Sequence, residues 1–171
     1  MPIQTTYPFA YDKAQKGQTT ASNADRNISA YSTAAIPFGI GVAYDGAAND
    51  ESPRIKIPTA TTDTFIGITC KILRQPFGVD TDFLSVVTST TQSARYEIND
   101  PITVRVLGEI WVYAEVAVNP SLPVFWRCVT ASSLLAGDFR TNADTDKAIQ
   151  IPNARWKSAN SAAGLALLEL F

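Results

Sequence analysis

The chain has 171 residues, 46% of them hydrophobic and only 18% charged, with a formal net charge of −2 and no histidine. The near-neutral balance and the lack of any Lys/Arg run exclude the electrostatic footprint of a nucleic-acid or anionic-membrane binder, and the missing histidine removes the commonest general acid–base, metal ligand and pH switch. No apolar run approaches bilayer-spanning length, and the first residues lack the basic-then-apolar order of a secretory leader, so the chain is expected to be made in a cytoplasm and to stay soluble or join an assembly there.

Residues 1–34 are rich in Gln, Thr, Ala, Ser and Asn, with scattered aromatics at Tyr7, Phe9, Tyr11 and Tyr31. They read as an extended N-terminal arm that orders on a partner, followed by a β-rich domain over residues 35–171. From Ile36 the pattern changes. IPFGIGVAYDG places Ile36, Phe38, Ile40, Val42 and Tyr44 on one face of a strand, with small residues behind and a turn at Asp45-Gly46. RIKI and TFIGITCKI read as further strands, and DFLSVVTSTT as a half-buried one. ARYEI and ITVRVLG flank an NDP turn and are expected to form a hairpin.

GEIWVYAEV, residues 108–116, alternates Ile110, Val112, Ala114 and Val116 against Glu109, Trp111, Tyr113 and Glu115. The first set is a core face. The second puts two large rings between carboxylates, which suits either coverage by the chain itself or a subunit contact with a polar rim. After the stiff NPSLP turn, VFWRCVT returns, placing Phe125 and Trp126 beside Trp111 and Tyr113 as cross-strand partners. Gly137-Asp138 marks a turn within a long polar loop, AIQI is a short strand, and LALLELF is expected to be a terminal strand. Many short strands with turns between them predict an antiparallel β-sandwich or barrel.

Catalytic patterns are weak. The Gly-x-Gly at Gly39 and Gly41 lacks a third glycine and a following helix. Asn142, Asp144 and Asp146 alternate as oxygen ligands do, but without the glycine and distal glutamate of a calcium loop. Asp80 and Asp82 have no sugar cleft to serve, and no nucleophile elbow surrounds any serine. Cys70 and Cys128 read as buried free thiols. No enzyme activity, cofactor or metal is expected.

Three stretches, ISAYSTAAIPFGIGVAYDG, TDTFIGITCKI and IPNARWKSANSAAGLALLEL, together with the block Val104 to Val112, resemble in order and spacing the structural cement, or head decoration, proteins of tailed bacteriophages. The resemblance implies an all-β protein of jelly-roll or β-tulip-like form that binds the outside of an icosahedral head. It implies a homotrimer seated where major capsid subunits meet, with neither nucleic acid nor membrane as partner. On that reading the candidate contact residues are Tyr7, Phe9, Tyr11 and Tyr31 in the arm, and Trp111, Tyr113, Trp126 and Trp156 in the domain. The arm would extend over neighbouring capsid proteins, and residues 1–30 would be dispensable for folding. A trimeric tail or receptor-binding virion component is the alternative.

Overall fold

The computed structural model describes residues 14–21, 24–46, 53–71 and 95–171. Its strands are β1 (Arg26–Ala30), β2 (Ile36–Pro37), β3 (Gly41–Tyr44), β4 (Ile55–Lys56), β5 (Phe65–Thr69), β6 (Arg95–Tyr96), β7 (Ile102–Ala114), β8 (Phe125–Arg127), β9 (Phe139–Arg140), β10 (Ala148–Gln150), β11 (Ala154–Trp156) and β12 (Gly164–Leu170). There is no helix among the described residues. The protein is all-β, as its pattern predicts. Ten strands form one large sheet that is not closed into a barrel, and β2 and β6 make a separate two-stranded ribbon.

The long strand β7 organises the sheet. ITVRVLG and GEIWVYA, which read as separate strands, are one 13-residue element. A single alternation of Ile102, Val104, Ile110, Val112 and Ala114 supplies both apolar cores. Over its first half β7 lies between β1 and β5, which pair with the same residues, Val104 and Arg105, and therefore sit on opposite edges. Over its second half it pairs with β12, from Leu170 opposite Gly108 to Gly164 opposite Ala114. It ends beside β9 in a parallel bridge, so the sheet is mixed rather than purely antiparallel.

Part of the expected arm is sheet. β1 is paired along β7, and Thr19 bridges Ile110. Gly17 N–H donates to the Trp111 carbonyl at 2.7 Å, Trp111 N–H to Gln18 at 2.9 Å, and Lys71 N–H to Gly17 at 2.7 Å. Residues 14–21 and 24–34 thus complete the fold, because the edge of β7 needs hydrogen-bond partners. Tyr31 is half-buried and bridges Arg54. Tyr7, Phe9 and Tyr11 lie outside the described residues, as does DFLSVVTSTT.

Two pairings differ from expectation. The strand over residues 36–44 breaks at Gly39, which takes a φ of +68°. The break is held by buried Thr69, whose hydroxyl donates to the Pro37 carbonyl (2.8 Å) and accepts from Ile40 N–H (3.2 Å). β6 does not form a hairpin with β7 but pairs with β2. Tyr96, fully buried, ties this ribbon down: its hydroxyl donates to the Cys70 carbonyl at 2.7 Å and its ring meets Phe38 edge-on at 5.0 Å. The terminal segment does form a strand, β12.

Gly17 and Gly39 meet where the N-terminal segment enters the sheet. A Cβ on Gly39 would stand 2.4 Å from the Gly17 nitrogen, at a backbone angle that side chains resist. Gly39→Ala is therefore expected to destabilise the protein by about 1–3 kcal/mol or more. An unchanged urea midpoint would contradict this account of the junction.

Candidate functional site

The second face of β7 divides into two environments. At its far end Glu115 is buried, not part of a polar rim. Arg127, on β8, has no exposed side-chain surface and grips both Glu115 oxygens, through Nε and through Nη2, the latter at 2.8 Å. The same Nη2 reaches Asp144 at 2.5 Å. Arg140, on β9, adds bonds to Glu115 at 3.2 Å and Asp144 at 2.6 Å. Two cations face two anions, so the cluster is neutral and its members are mutually satisfied. Glu115 holds the Arg127 guanidinium well above its ordinary range. The Arg127 hydrogen bond holds the Asp144 carboxyl below its ordinary value. The alternating Asn142, Asp144 and Asp146 loop thus belongs to an ion-pair network, with Asn142 accepting from Arg140 Nε at 3.0 Å.

Toward the middle of β7 the face is apolar and half-open. β12 stands in register so that Leu167 lies opposite Trp111 and Leu165 opposite Tyr113. Directly opposed residues share a face, so the four side chains form one patch. Trp111, Leu165 and Leu167 are half-buried, and Tyr113 is exposed at 37%. Their neighbours Val112, Ala166 and Leu168 point the other way and are fully buried. At one end Glu169 stands opposite Glu109, with Arg155 opposite Glu169, and Lys157 reaches Glu109 at 3.4 Å and Glu169 at 3.7 Å. Glu109 also accepts from the Thr20 hydroxyl at 2.7 Å. The other end is marked by Lys16, whose Nζ lies 5.9 Å from the Tyr113 ring centroid and 2.5 Å from Asp138. Burial pushes the Asp138 carboxyl up, and the Lys16 ammonium opposes that shift.

The other two candidate tryptophans are core residues. Trp126 and Trp156 are 1% and 0% exposed, enclosed by their own chain. β8 pairs with β9 and β10 rather than β7, so Trp126 never reaches Trp111; it meets Phe65 edge-on at 5.2 Å. Trp156 donates to the Pro123 carbonyl at 3.3 Å. Both cysteines are buried free thiols, and burial pushes Cys128 up to about 11. Sequence reading missed Leu165, Leu167 and the two arginines. A signal was present for Arg127: a lone charge between Trp126 and Cys128 in an apolar strand marks a buried ion pair.

A neutral, buried ion-pair cluster at one end of β7 thus adjoins a half-open apolar patch. The profile of the structural cement protein family (E217 gp24/Pam3 gp6) matches residues 3–171, and the chain belongs to that family. The fold is similar to a chain in the capsid of Myoviridae phage XM1, with a TM-score of 0.68 at 17% identity, covering 99% of this chain and 97% of that one. The N base of the head fibre gp8.5 of bacteriophage phi29 gives a TM-score of 0.43 at 10% identity, over 86% of this chain and 95% of that one. No curated protein matches the sequence.

Glu115→Ala leaves two buried arginines to share the single carboxylate of Asp144 and is expected to cost about 3–5 kcal/mol. Removing Glu97, paired with Arg95 at the exposed surface, is expected to cost about 0–1 kcal/mol. Equal shifts of the two denaturation midpoints would refute the contrast. Because the folded-state pKa of Asp144 is depressed, its contribution is present above its ordinary value of 3.8 and is lost as pH falls through the folded value. Asp144→Asn should therefore flatten the stability–pH curve below about pH 4; an unaltered slope there would contradict it.

Proposed function

We infer that the protein is a non-enzymatic cement protein that binds the outer surface of an icosahedral phage head as homotrimers and bridges neighbouring major capsid subunits. It is assembled onto the shell in the host cytoplasm and stabilises it against separation of the subunits. The observation that carries this reading is family membership across essentially the whole chain. The site supports it: the apolar patch around Trp111 and Tyr113 offers aromatic anchors with charges beside them, the composition of interface centres. A standard stable interface buries roughly 1,200–2,000 Å². Four half-open side chains fall short of that, so attachment needs several such contacts acting together. A trimer provides them, since linked sites bind far more tightly than each does alone.

Residues 17–20 and β1 are paired along β7, so a deletion that tests the arm without removing these pairings is confined to residues 2–13. Deleting residues 2–13 is expected to leave the melting transition in place and to weaken binding to capsids. Deleting residues 2–30 removes β1 and the Gly17 junction and is expected to abolish folding. Unchanged capsid binding by the shorter deletion would refute a role for the arm.

Quantitative mass spectrometry of purified particles tests the main reading. Hundreds of copies in fixed ratio to the major capsid protein are expected. A handful of copies would place the protein in the tail, and its absence from particles would overturn the proposal.

A further inference from the structure

We propose that Asp144 is an acid-sensitive latch: its bonds to Arg127 and Arg140 hold the turn over residues 143–147 in a strained conformation, and loss of its charge lets that turn relax while the sheet stays paired.

The strain lies in the backbone. Asp144, Thr145 and Asp146 take φ values of 50°, 55° and 62° in succession. Among the described residues the other non-glycine positions with positive φ, Asn99 and Ser132, each stand alone. Side chains crowd the backbone in this region, and a β-branched residue such as Thr145 resists it most. ADTDK, residues 143–147, holds no glycine to relieve the crowding. Such a conformation persists only where its surroundings impose it.

Two sets of bonds impose it here. The Ala143 carbonyl accepts from Lys147 N–H at 3.1 Å and from Ala148 N–H at 3.0 Å, closing the turn on itself. The tip of the turn, Thr145 and Asp146, is exposed and gains nothing from burial. The second set fastens the turn to the sheet. Asp144 Oδ2 accepts from Arg127 Nη2 on β8 at 2.5 Å and pairs with Arg140 Nη1 on β9 at 2.6 Å. Both arginines are themselves held by Glu115, so the anchor is rigid.

Asp144 is the member of the cluster that solvent reaches. Its side chain is 30% exposed, against 0% for Arg127 and 1% for Glu115. The charges facing it are Arg127 and Arg140, with Glu115 behind them, and Lys147 from the turn itself. The Arg127 hydrogen bond, the strongest of these influences, holds the carboxyl below its ordinary value of 3.8. The latch is therefore closed at neutral pH and opens as pH falls through that lowered value. Relaxation reshapes the corner around Thr145 and Asp146, so a contact made there is fixed at neutral pH and lost in acid.

Amide hydrogen exchange, resolved by residue in the full chain at neutral pH, tests the latch. Asp144→Asn keeps the shape of the side chain and its tolerance of positive φ, so the change is one of charge. Protection at Lys147 and Ala148 is expected to fall about tenfold or more. Protection at Ile151, bonded to Val124 just beyond β10, and at Cys70, bonded to Thr103, should not change. Adding Thr145→Gly and Asp146→Gly to that variant relieves the strain and should raise protection at Lys147 and Ala148 again. Unchanged protection in Asp144→Asn, an equal loss at Ile151 and Cys70, or no gain from the glycines would each overturn the proposal. If the variant does not fold, acid acts on the unaltered chain in its place. Protection, corrected for the pH dependence of intrinsic exchange, should then be lost at Lys147 and Ala148 below about pH 4, before it is lost at Ile151 and Cys70; simultaneous loss would overturn the latch.

Discussion

The edges of β7 must be hydrogen-bonded along the whole strand, and most of the architecture follows from how that demand is met. A buried strand cannot leave its N–H and C=O groups unpaired without a cost comparable to a lost hydrogen bond at each. No single neighbour is long enough. β1 and β5 flank the first half, and β12 takes one edge of the second half. The N-terminal segment and then β9 complete the other edge. Segments from both ends of the chain are thereby drawn onto one strand, and two cores form against one alternation of side chains.

The scarcity of charge takes its meaning from where the charges lie. Arg105, Glu115, Arg127 and Arg140 are all buried, although charged residues are few. Burying Glu115, Arg127 and Arg140 is tolerable because their cluster is neutral and multiply hydrogen-bonded, and Arg105 is paired with Asp25. It fastens β8, β9 and the 142–147 loop to the end of β7, where the strand has run out of long partners. Lys16 and Asp138 do the same for the entering N-terminal segment. The surface left beside these clamps is correspondingly apolar.

A rigid sheet with an apolar outer patch suits a cement protein. Such a protein needs no moving part; it must present fixed contacts that resist being pulled apart. Extended strands paired along their whole length transmit tension through many parallel hydrogen bonds. The in-register Trp111–Leu167 and Tyr113–Leu165 pairs make the patch part of the same ladder that holds the core together.

Strand character, the core face of Ile110, Val112 and Ala114 (though not Val116, half-buried beyond the end of β7), the terminal strand and the family were legible in the chain, because period-two alternation and local turn chemistry are short-range signals. Partner choice was not. That β6 pairs with β2, that β9 rather than β8 lies beside β7, and that Trp126 and Trp156 are core while Trp111 is half-open depend on which distant segment comes alongside. Two tryptophans in similar strand contexts read alike until their neighbours are known. Glu115 likewise resembles Glu109 in the sequence, yet one is clamped by two arginines and the other stands among rim charges. Alternation specifies two faces for every strand; only the assembled sheet decides what each face meets, because burial is a property of the packed layers and not of the strand.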